Sequence, residues 1–487
     1  MIEEILFGGA DSRPRTIVSI QSVSLGGLTS RYLRGLNYFE ERNFYFIDLL
    51  RNRNCGCVAV LSDDIDNRFF EHAMHEGARA CNLDPGDIAR RWKTLFVPTD
   101  GRSSLSELLL RNPHALGWLR EILARCENPI LDFWTVSEHE IQLANALGLP
   151  HFGLREEFLS IDSKSNGRAI FELLKIRHPR GRQNIHSVDD AQRALADLSS
   201  GSDARSFLIK LNCEEAGNGI ARVQRSVVGE SRDKFIAHLE ISKKIPLEAF
   251  VSQIGRQGAV VEECIEAPIT SFPSVKMNVL PDGQVVNLAT HDQVLTGMAY
   301  SGSRFPANEE YRKELIARGY EIAAYLAAKG VRGMVSVDFI ATRERATEPW
   351  TVWGLEINAR KGATTHPYLW TRLLTDATYD EPTGRLNSRS GQIKYRSSEY
   401  VQADGLENVS PHALLNAIRD AGLAFDHATQ RGVFVHMATS LRGFSKFGAT
   451  FVGHSDPEID QLHARVVQLA QQLANQRKRS HPRMSSG

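Results

Sequence analysis

The chain has 487 residues, with 58 Lys plus Arg balanced by 58 Asp plus Glu, 42 % hydrophobic and 24 % charged residues. A formal charge of zero excludes nucleic-acid binding driven by bulk charge, and the composition excludes a disordered chain. At roughly 100–200 residues per domain, the length predicts two to four domains with clefts between them.

The opening MIEEILFGGADSRPR lacks the basic start and apolar core of a secretory signal, and no apolar run approaches the length of a membrane span. A cytoplasmic protein is expected, with neither nucleic acid nor membrane as partner. Six cysteines are too sparse for a disulfide framework, and Cys55-Gly56-Cys57 has no second ligand pair at metal spacing.

In chain order, the β-rich runs 16–23 and 57–62 alternate with helical patterns at 67–81 and 104–125, which predicts a parallel α/β layer. Gly26-Gly27 follows the first strand, but no dinucleotide or Walker glycine motif is present. From 152 the pattern changes to helix 164–177, strand 207–212, helix 233–244 and strand 259–265. Two longer strands follow, joined by the turn signal Pro281-Asp282-Gly283. A helix at 309–328 then precedes strands 334–341 and 350–358, so this part reads as α+β and mostly antiparallel. The polar stretch 376–400 reads as loop. The end carries a helix at 410–421, a strand at 432–440 and a helix from Pro457 with Ile459, Leu462, Val466, Leu469 and Leu473 on one face. The run Phe39-Glu40-Glu41-Arg42 reads as a solvated helix face with internal ion pairs.

One constellation stands out chemically. If strands 334–341 and 350–358 pair about a turn near residue 347, Asp338 faces Glu356, and two facing carboxylates need something positive between them. Oxygen ligands of this kind suit Mg²⁺ together with substrate phosphates. Asn358 and Arg360 continue the parity of Glu356, adding a neutral oxygen and a cation for a phosphate in transfer. Upstream, Lys164 opens a helix and Lys210 sits in a strand before a glycine-bearing turn, a common way to hold phosphate oxygens. The strand at 260–268 ends in acids, among them Glu266, placed to reach a ribose hydroxyl or to keep an edge strand soluble.

This order of lysine, lysine with glycine loop, acid-ending strand, Asp and Glu-x-Asn-x-Arg resembles the ATP-grasp superfamily. Beyond the core, residues 37–51, 289–307, 356–369 and 432–455 resemble the pheganomycin-type peptide ligases. The resemblance implies an α/β pre-ATP-grasp domain (1–151), an α+β ATP-grasp core (152–375), a loop-rich connector (376–408), a small α+β C-terminal domain (409–475) and a flexible tail (476–487). It implies an ATP- and Mg²⁺-dependent ligase that joins a small carboxylate to an amino acid or peptide amine through an acyl phosphate, with a homodimer as the expected assembly.

Carried over by position, Lys164, Lys210, Gly217 and Gly219 contact the ATP phosphates, Glu263 and Ile265 face adenine, and Glu266 faces the ribose. Asp338, Glu356 and Asn358 hold Mg²⁺, while Arg360 and Lys210 are the catalytic cations. Lys276, Arg304, Lys361, Thr364, Thr365 and His366 are expected substrate or phosphate contacts. The chain departs from the family in its glycine loop, where Glu214 and Glu215 bring two acids beside a triphosphate, and at Ala363, where glycine is expected. The acids leave two further readings open: a nucleotide-binding scaffold or sensor without turnover, and phosphoryl transfer to a non-carboxylate acceptor.

Overall fold

A computed structural model describes residues 2–480 apart from 10–12, 22, 33–34, 216 and 298. Apolar runs near the N-terminus form a parallel sheet of β1 (Arg15–Ile20), β2 (Cys55–Ser62), β3 (Trp92–Val97) and β4 (Pro129–Phe133) in the order β3-β2-β1-β4. β1 and nearly all of β2 are buried, as strands covered by helices on both faces must be. β3 and β4 give weaker sequence signals because Lys93 and Phe96 face solvent and Pro129 and Asp132 interrupt the apolar run. The expected helix at 104–125 is two helices, Leu105–Arg111 and Pro113–Leu123, since Pro113 cannot continue the first and instead opens the second.

The middle of the chain forms an antiparallel sheet of β5 (Gly181–Ile185), β6 (Ser206–Leu211), β7 (Ile220–Gln224) and β8 (Ala259–Glu263), ordered β5-β8-β6-β7. The helices Val188–Ser200 and Leu247–Gln257 pack their apolar faces on Phe207, Ile209 and Val261. The helix expected at 233–244 is a short one, Arg232–Ala237, and the longer helix begins after Pro246.

The largest sheet contains β9 (Ile269–Val279), β10 (Val285–Thr296), β11 (Ala299–Phe305), β12 (Gly333–Arg343) and β13 (Thr351–Asn358). The β9–β10 hairpin turns at Pro281-Asp282-Gly283, where Gly283 has φ +95° and Asp282 accepts from the Gln284 N–H at 2.9 Å. Residues 376–400, expected as loop, instead form β14 (Thr378–Asp380), β15 (Arg385–Ser388) and most of β16 (Gly391–Gln402). In β16 the buried Ile393, Tyr395, Ser397 and Val401 alternate with polar outward residues, and serine and charge dilute the apolar signal. β16 pairs with β11 on one side and with β18 (Lys446–Gly453) on the other, and β18 also pairs with β17 (Gly432–His436). The segment 376–408 is therefore a continuous bridge of sheet rather than a loop-rich connector. The last helix, Asp456–Ser480, buries Ile459 and Val466 and extends past the expected tail boundary; residues 481–487 lie outside the described residues.

The FEER run corrects a second expectation. It lies in a 3₁₀ helix, Leu36–Arg51, and its charged side chains are buried and reach across the fold. Glu40 accepts from the Ser62 N–H at 2.7 Å, Glu41 from the Thr439 N–H at 3.2 Å, and Arg42 pairs with Glu399 at 2.6 Å. Local charge spacing cannot reveal partners so distant in sequence. Burial holds the Glu41 carboxyl at about 8, while hydrogen bonds from Thr439 pull the other way. The folded chain thus keeps a proton that the unfolded chain releases near 4.5, and this group's contribution to stability falls as pH rises from about 4.5 to about 8. Glu41→Gln mimics the protonated form. Urea unfolding should show it nearly neutral at pH 5 and stabilising at pH 8, and destabilisation at both would contradict the assignment.

Candidate active site

The β12–β13 ladder sets Asp338 directly opposite Glu356 and Ser336 opposite Asn358. A bulge between Asp338 and Phe339 shifts the outer part of the ladder by one residue, so the acids keep the register required to face each other. Asp338 accepts from the amides of Gln293 at 2.6 Å and Asn358 at 3.0 Å. Burial, and then the facing charge of Glu356, push the Asp338 carboxyl up to about 6. Burial also acts on Glu356, but Lys164, Arg360 and Lys210 outweigh it and hold this carboxyl below its usual range. Lys164 Nζ lies 3.3 Å from Glu356. Arg360 pairs with the half-buried Asp162 at 3.2 Å. Asp338, Glu356 and Asn358 offer two carboxylates and an amide, and among the described residues no group of three or more His, Cys, Asp or Glu is arranged to hold a metal ion. Such a set leaves coordination positions open and suits Mg²⁺ shared with phosphate oxygens.

The helix Lys164–Leu173 starts at the end of β6, its first turn fixed by Ser165 on Asn212 at 2.8–3.0 Å. This brings Lys164 to the loop after β6, where its Nζ donates to the Glu214 carbonyl at 2.7 Å. Lys210, buried on β6, is paired with Glu262 of β8. At the end of β8, the Glu263 N–H is taken by the Arg180 carbonyl at 2.8 Å, which leaves the Glu263 carbonyl as its backbone group for a ligand. Ile265 is half-buried beyond the ladder, and Glu266 is exposed and paired with Arg222.

Of the two acids of the glycine loop, Glu214 turns toward the N-terminal segment and Glu215 faces the cleft. Glu214 is fully buried and accepts from the Leu28 N–H, the Thr29 N–H and the Thr29 hydroxyl, each at 2.9 Å, and from Gln257 at 3.0 Å. Glu215 accepts from the Gly26 N–H at 3.0 Å and faces Arg360. Burial pushes the Glu215 carboxyl up, and Arg360 draws it back only in part. The seam is tight. A Cβ on Gly26 would lie 1.9 Å from the Cys213 carbonyl oxygen, and one on Gly219 would lie 2.4 Å from Glu214 Cβ. Gly217 has φ +76°, and Ala216 lies outside the described residues. The Gly26-Gly27 turn, which carries no phosphate motif, thus serves as the dock for this loop.

Several expected substrate contacts are committed elsewhere. Arg304 pairs with Asp460 of the last helix. Lys361 is buried and pairs with Asp132 while donating to the Phe133 carbonyl at 3.0 Å, which ties the core to the N-terminal sheet. Thr365 is buried and accepts from the Gly362 N–H at 3.0 Å at the start of the helix Thr365–Thr375, and Thr364 is buried just before it. His366 is buried 3.2 Å from His436; burial holds both rings' protonation down, helped by His436 at His366 and by Arg42 at His436. Adjacency to the Glu-x-Asn-x-Arg run suggests contact with substrate, but the helix that starts there turns these side chains inward. Lys276 does approach the acids: its Nζ donates to Ser336 at 2.7 Å, and burial pushes it down to about 7 although Asp338 pulls upward.

Sequence reasoning missed Asp162, Gln293 and Glu262, and the N-terminal wall of the cleft. Asp162 lies two residues before Lys164 and Gln293 lies within a matching segment, yet no spacing rule singles either out. The cleft has a volume of about 490 Å³. Lys164, Cys213–Glu215, Glu356 and Arg360 line its core side, and Gly26, Arg102, Glu107 and Ser137–His139 line the side formed by the N-terminal sheet's loops.

The family model described as "IQCH-like, ATP-grasp" matches residues 242–380, and the one described as "PGM1 C-terminal domain" matches 413–466. The L-propargylglycine--L-glutamate ligase of Streptantibioticus cattleyicolor is 28 % identical over 440 residues, which cover 89 % of each chain. Among solved structures, a biotin carboxylase–β-γ-ATP complex from Campylobacter jejuni superposes with TM-score 0.59 at 11 % identity, covering 94 % of this chain and 95 % of that one. The biotin carboxylase domain of the Hydrogenobacter thermophilus 2-oxoglutarate carboxylase, in complex with MgADP, ADP and bicarbonate, superposes with TM-score 0.57 at 12 % identity, covering 92 % and 88 %. Among the described residues no helix is long and apolar enough to cross a membrane. With two paired carboxylates on adjacent strands, a lysine beside them and the family model matched over 242–380, this stretch of the chain is similar to ATP-grasp domains, and the fold as a whole is similar to that of the biotin carboxylases.

Proposed function

We propose that the chain is an ATP-dependent carboxylate–amine ligase that forms an amide through an acyl phosphate and releases ADP and phosphate. The observation that carries this reading is the Asp338–Glu356 pair, whose Glu356 lines one end of the cleft together with Lys164 and Arg360. The relative that covers 89 % of this chain is named a ligase of two amino acids, which favours an amino acid as the acid.

In this reading Lys164 and Lys210 hold the ATP phosphates, with Gly217 and Gly219 allowing the loop backbone to come close. The Glu263 carbonyl and Ile265 face adenine, and Glu266 reaches the ribose once it is released from Arg222. Asp338, Glu356 and Asn358 would hold Mg²⁺, which when bound would supply positive charge to the phosphoryl group in transfer. A carboxylate oxygen of the acid displaces ADP from the γ-phosphorus. The amine then displaces phosphate from the carbonyl carbon, and Arg360, fixed by Asp162, stabilises the oxyanion that forms at that carbon. Phosphorylation is needed because a carboxylate would otherwise have to expel oxide. Against the scaffold reading stands the placement of Glu214, which is bound by the N-terminal segment, while Glu215 is countered by Arg360.

Incubation with ATP, Mg²⁺ and a panel of L-amino acids should release ADP and phosphate together with a new amide detected by mass spectrometry. AMP and pyrophosphate would refute the proposal. ADP with a stable phosphorylated product would indicate phosphoryl transfer to a non-carboxylate acceptor.

A further inference from the structure

A second cavity, of about 450 Å³, shares no lining residue with the cleft. Three parts of the chain meet at it: the end of the helix Asn67–Ala80, the end of the helix Thr365–Thr375, and the β15–β16 turn with the segment before β17. Arg51, Arg79, Arg389 and His427 line it, and Asp376 is the one carboxylate among its lining residues. In a chain with no net charge this is a local excess of cations. Two helices end here, and free C-terminal carbonyls would oppose an anion, but these are capped. Arg51 donates to the Ala80 carbonyl at 3.2 Å, and the buried Gln430 donates to the Thr375 carbonyl. Arg51 is itself neutralised, by Asp48 at 2.9 Å and Asp376 at 3.1 Å. Both acids are therefore committed to Arg51.

The other two arginines have no acid of their own. Arg389 donates to the His427 carbonyl at 2.5 Å and pairs with no carboxylate among the described residues. Arg79 makes no side-chain hydrogen bond or ion pair among them. A short run of contacts joins the two: Arg389 holds His427, whose ring lies 3.3 Å from Glu76, and Glu76 is one turn before Arg79 on the same helix. We propose that this cavity binds a small molecule bearing a phosphate group, held by Arg79 and Arg389 and separate from the nucleotide cleft. Each guanidinium presents paired N–H donors, and a phosphate has oxygens enough to accept from both, whereas a single carboxylate is filled by one. The volume falls within the roughly 300–1,000 Å³ of small-molecule sites and leaves room for an organic group beside the phosphate. The bound molecule would fasten the N-terminal part of the chain, through Arg79, to the strands that follow the core, through Arg389.

Binding is read without turnover, so the test does not depend on the ligase chemistry. Hydrogen exchange of the full chain is followed by mass spectrometry at constant ionic strength with inorganic phosphate, ribose 5-phosphate or acetate. A phosphate compound should slow exchange in 79–83, 374–377 and 388–391 and raise the melting temperature by roughly 1–3 °C, and acetate should do neither. A response to ribose 5-phosphate alone would support the site and show that it reads the organic group, and a response to inorganic phosphate alone would support the free anion as its ligand. Arg79→Gln and Arg389→Gln should each raise the half-saturating concentration roughly tenfold, the worth of one charge-assisted contact, and the lysine variants should recover part of it. Because both arginines are exposed, the variants should melt with the wild type when no phosphate is added. Slowed exchange confined to the cleft, no response to either phosphate compound, equal protection by acetate, or unchanged half-saturation in both glutamine variants would overturn the proposal.

Discussion

Replacing Asp338 by Asn should lower turnover by about a thousandfold while the chain stays folded. The reason lies in how the two acids are partnered. Glu356 has Lys164 at 3.3 Å, whereas Asp338 is touched by the amides of Gln293 and Asn358, so among the described residues no cation contacts its charge. Burial and the charge of Glu356 accordingly push Asp338 up to about 6, and ionised Asp338 is tolerated when a divalent ion takes up the charge. Asparagine keeps the shape and one acceptor, removes the repulsion from Glu356, and deletes the metal's negative ligand. ADP release should be lost, the melting temperature without Mg²⁺ should hold or rise, and the rise that MgATP confers on the wild type should shrink. Retained ADP formation would remove Asp338 from the metal set. Loss of folding would show that the acid is structural.

The second large effect is expected at Glu214. Glu214→Ala leaves the Leu28 and Thr29 N–H groups without their acceptor in a buried seam, a loss of about 3 kcal/mol for charge-assisted bonds of this kind. It also frees the loop that Lys164 contacts through the Glu214 carbonyl. KM for ATP should rise roughly tenfold as the closed loop becomes a minor population. Limited proteolysis should cut within 213–219 far faster than in the wild type. Urea unfolding, ATP kinetics and the cleavage rate measure the three consequences. An unchanged cleavage rate with unchanged KM would show that the seam does not control the loop.

How much of the site was legible depended on whether a residue's partner was close in sequence. Asp338 and Glu356 sit on adjacent strands of one hairpin, so strand parity and the position of the turn were enough to set them face to face, and a single bulge preserved that pairing. Lys164 and Lys210 were legible through their order along the chain. Arg304, Lys361 and His366 were not: they lie in segments that match the family, but their side chains are claimed by Asp460, Asp132 and His436, none of which any local pattern connects to them. The same limit explains 376–400. Its main strand, β16, lies inside the sheet between β11 and β18, yet serine and charged residues hide the alternation that would have revealed it.

The sequence by itself determined the class of chemistry and the α/β and α+β parts, because these depend on residue type and on periodicities of two and 3.6 residues. Only the tertiary structure decided what the unusual acids of the glycine loop do. Glu214 is 186 residues from Leu28, and a carboxylate beside a glycine loop carries no mark of whether it will face a ligand or turn to a pair of backbone N–H groups at the start of the helix Gly27–Tyr32. That choice follows from desolvation. Once the loop closes against Gly26, a buried carboxylate must find donors, and the turn that the sequence left unassigned supplies them.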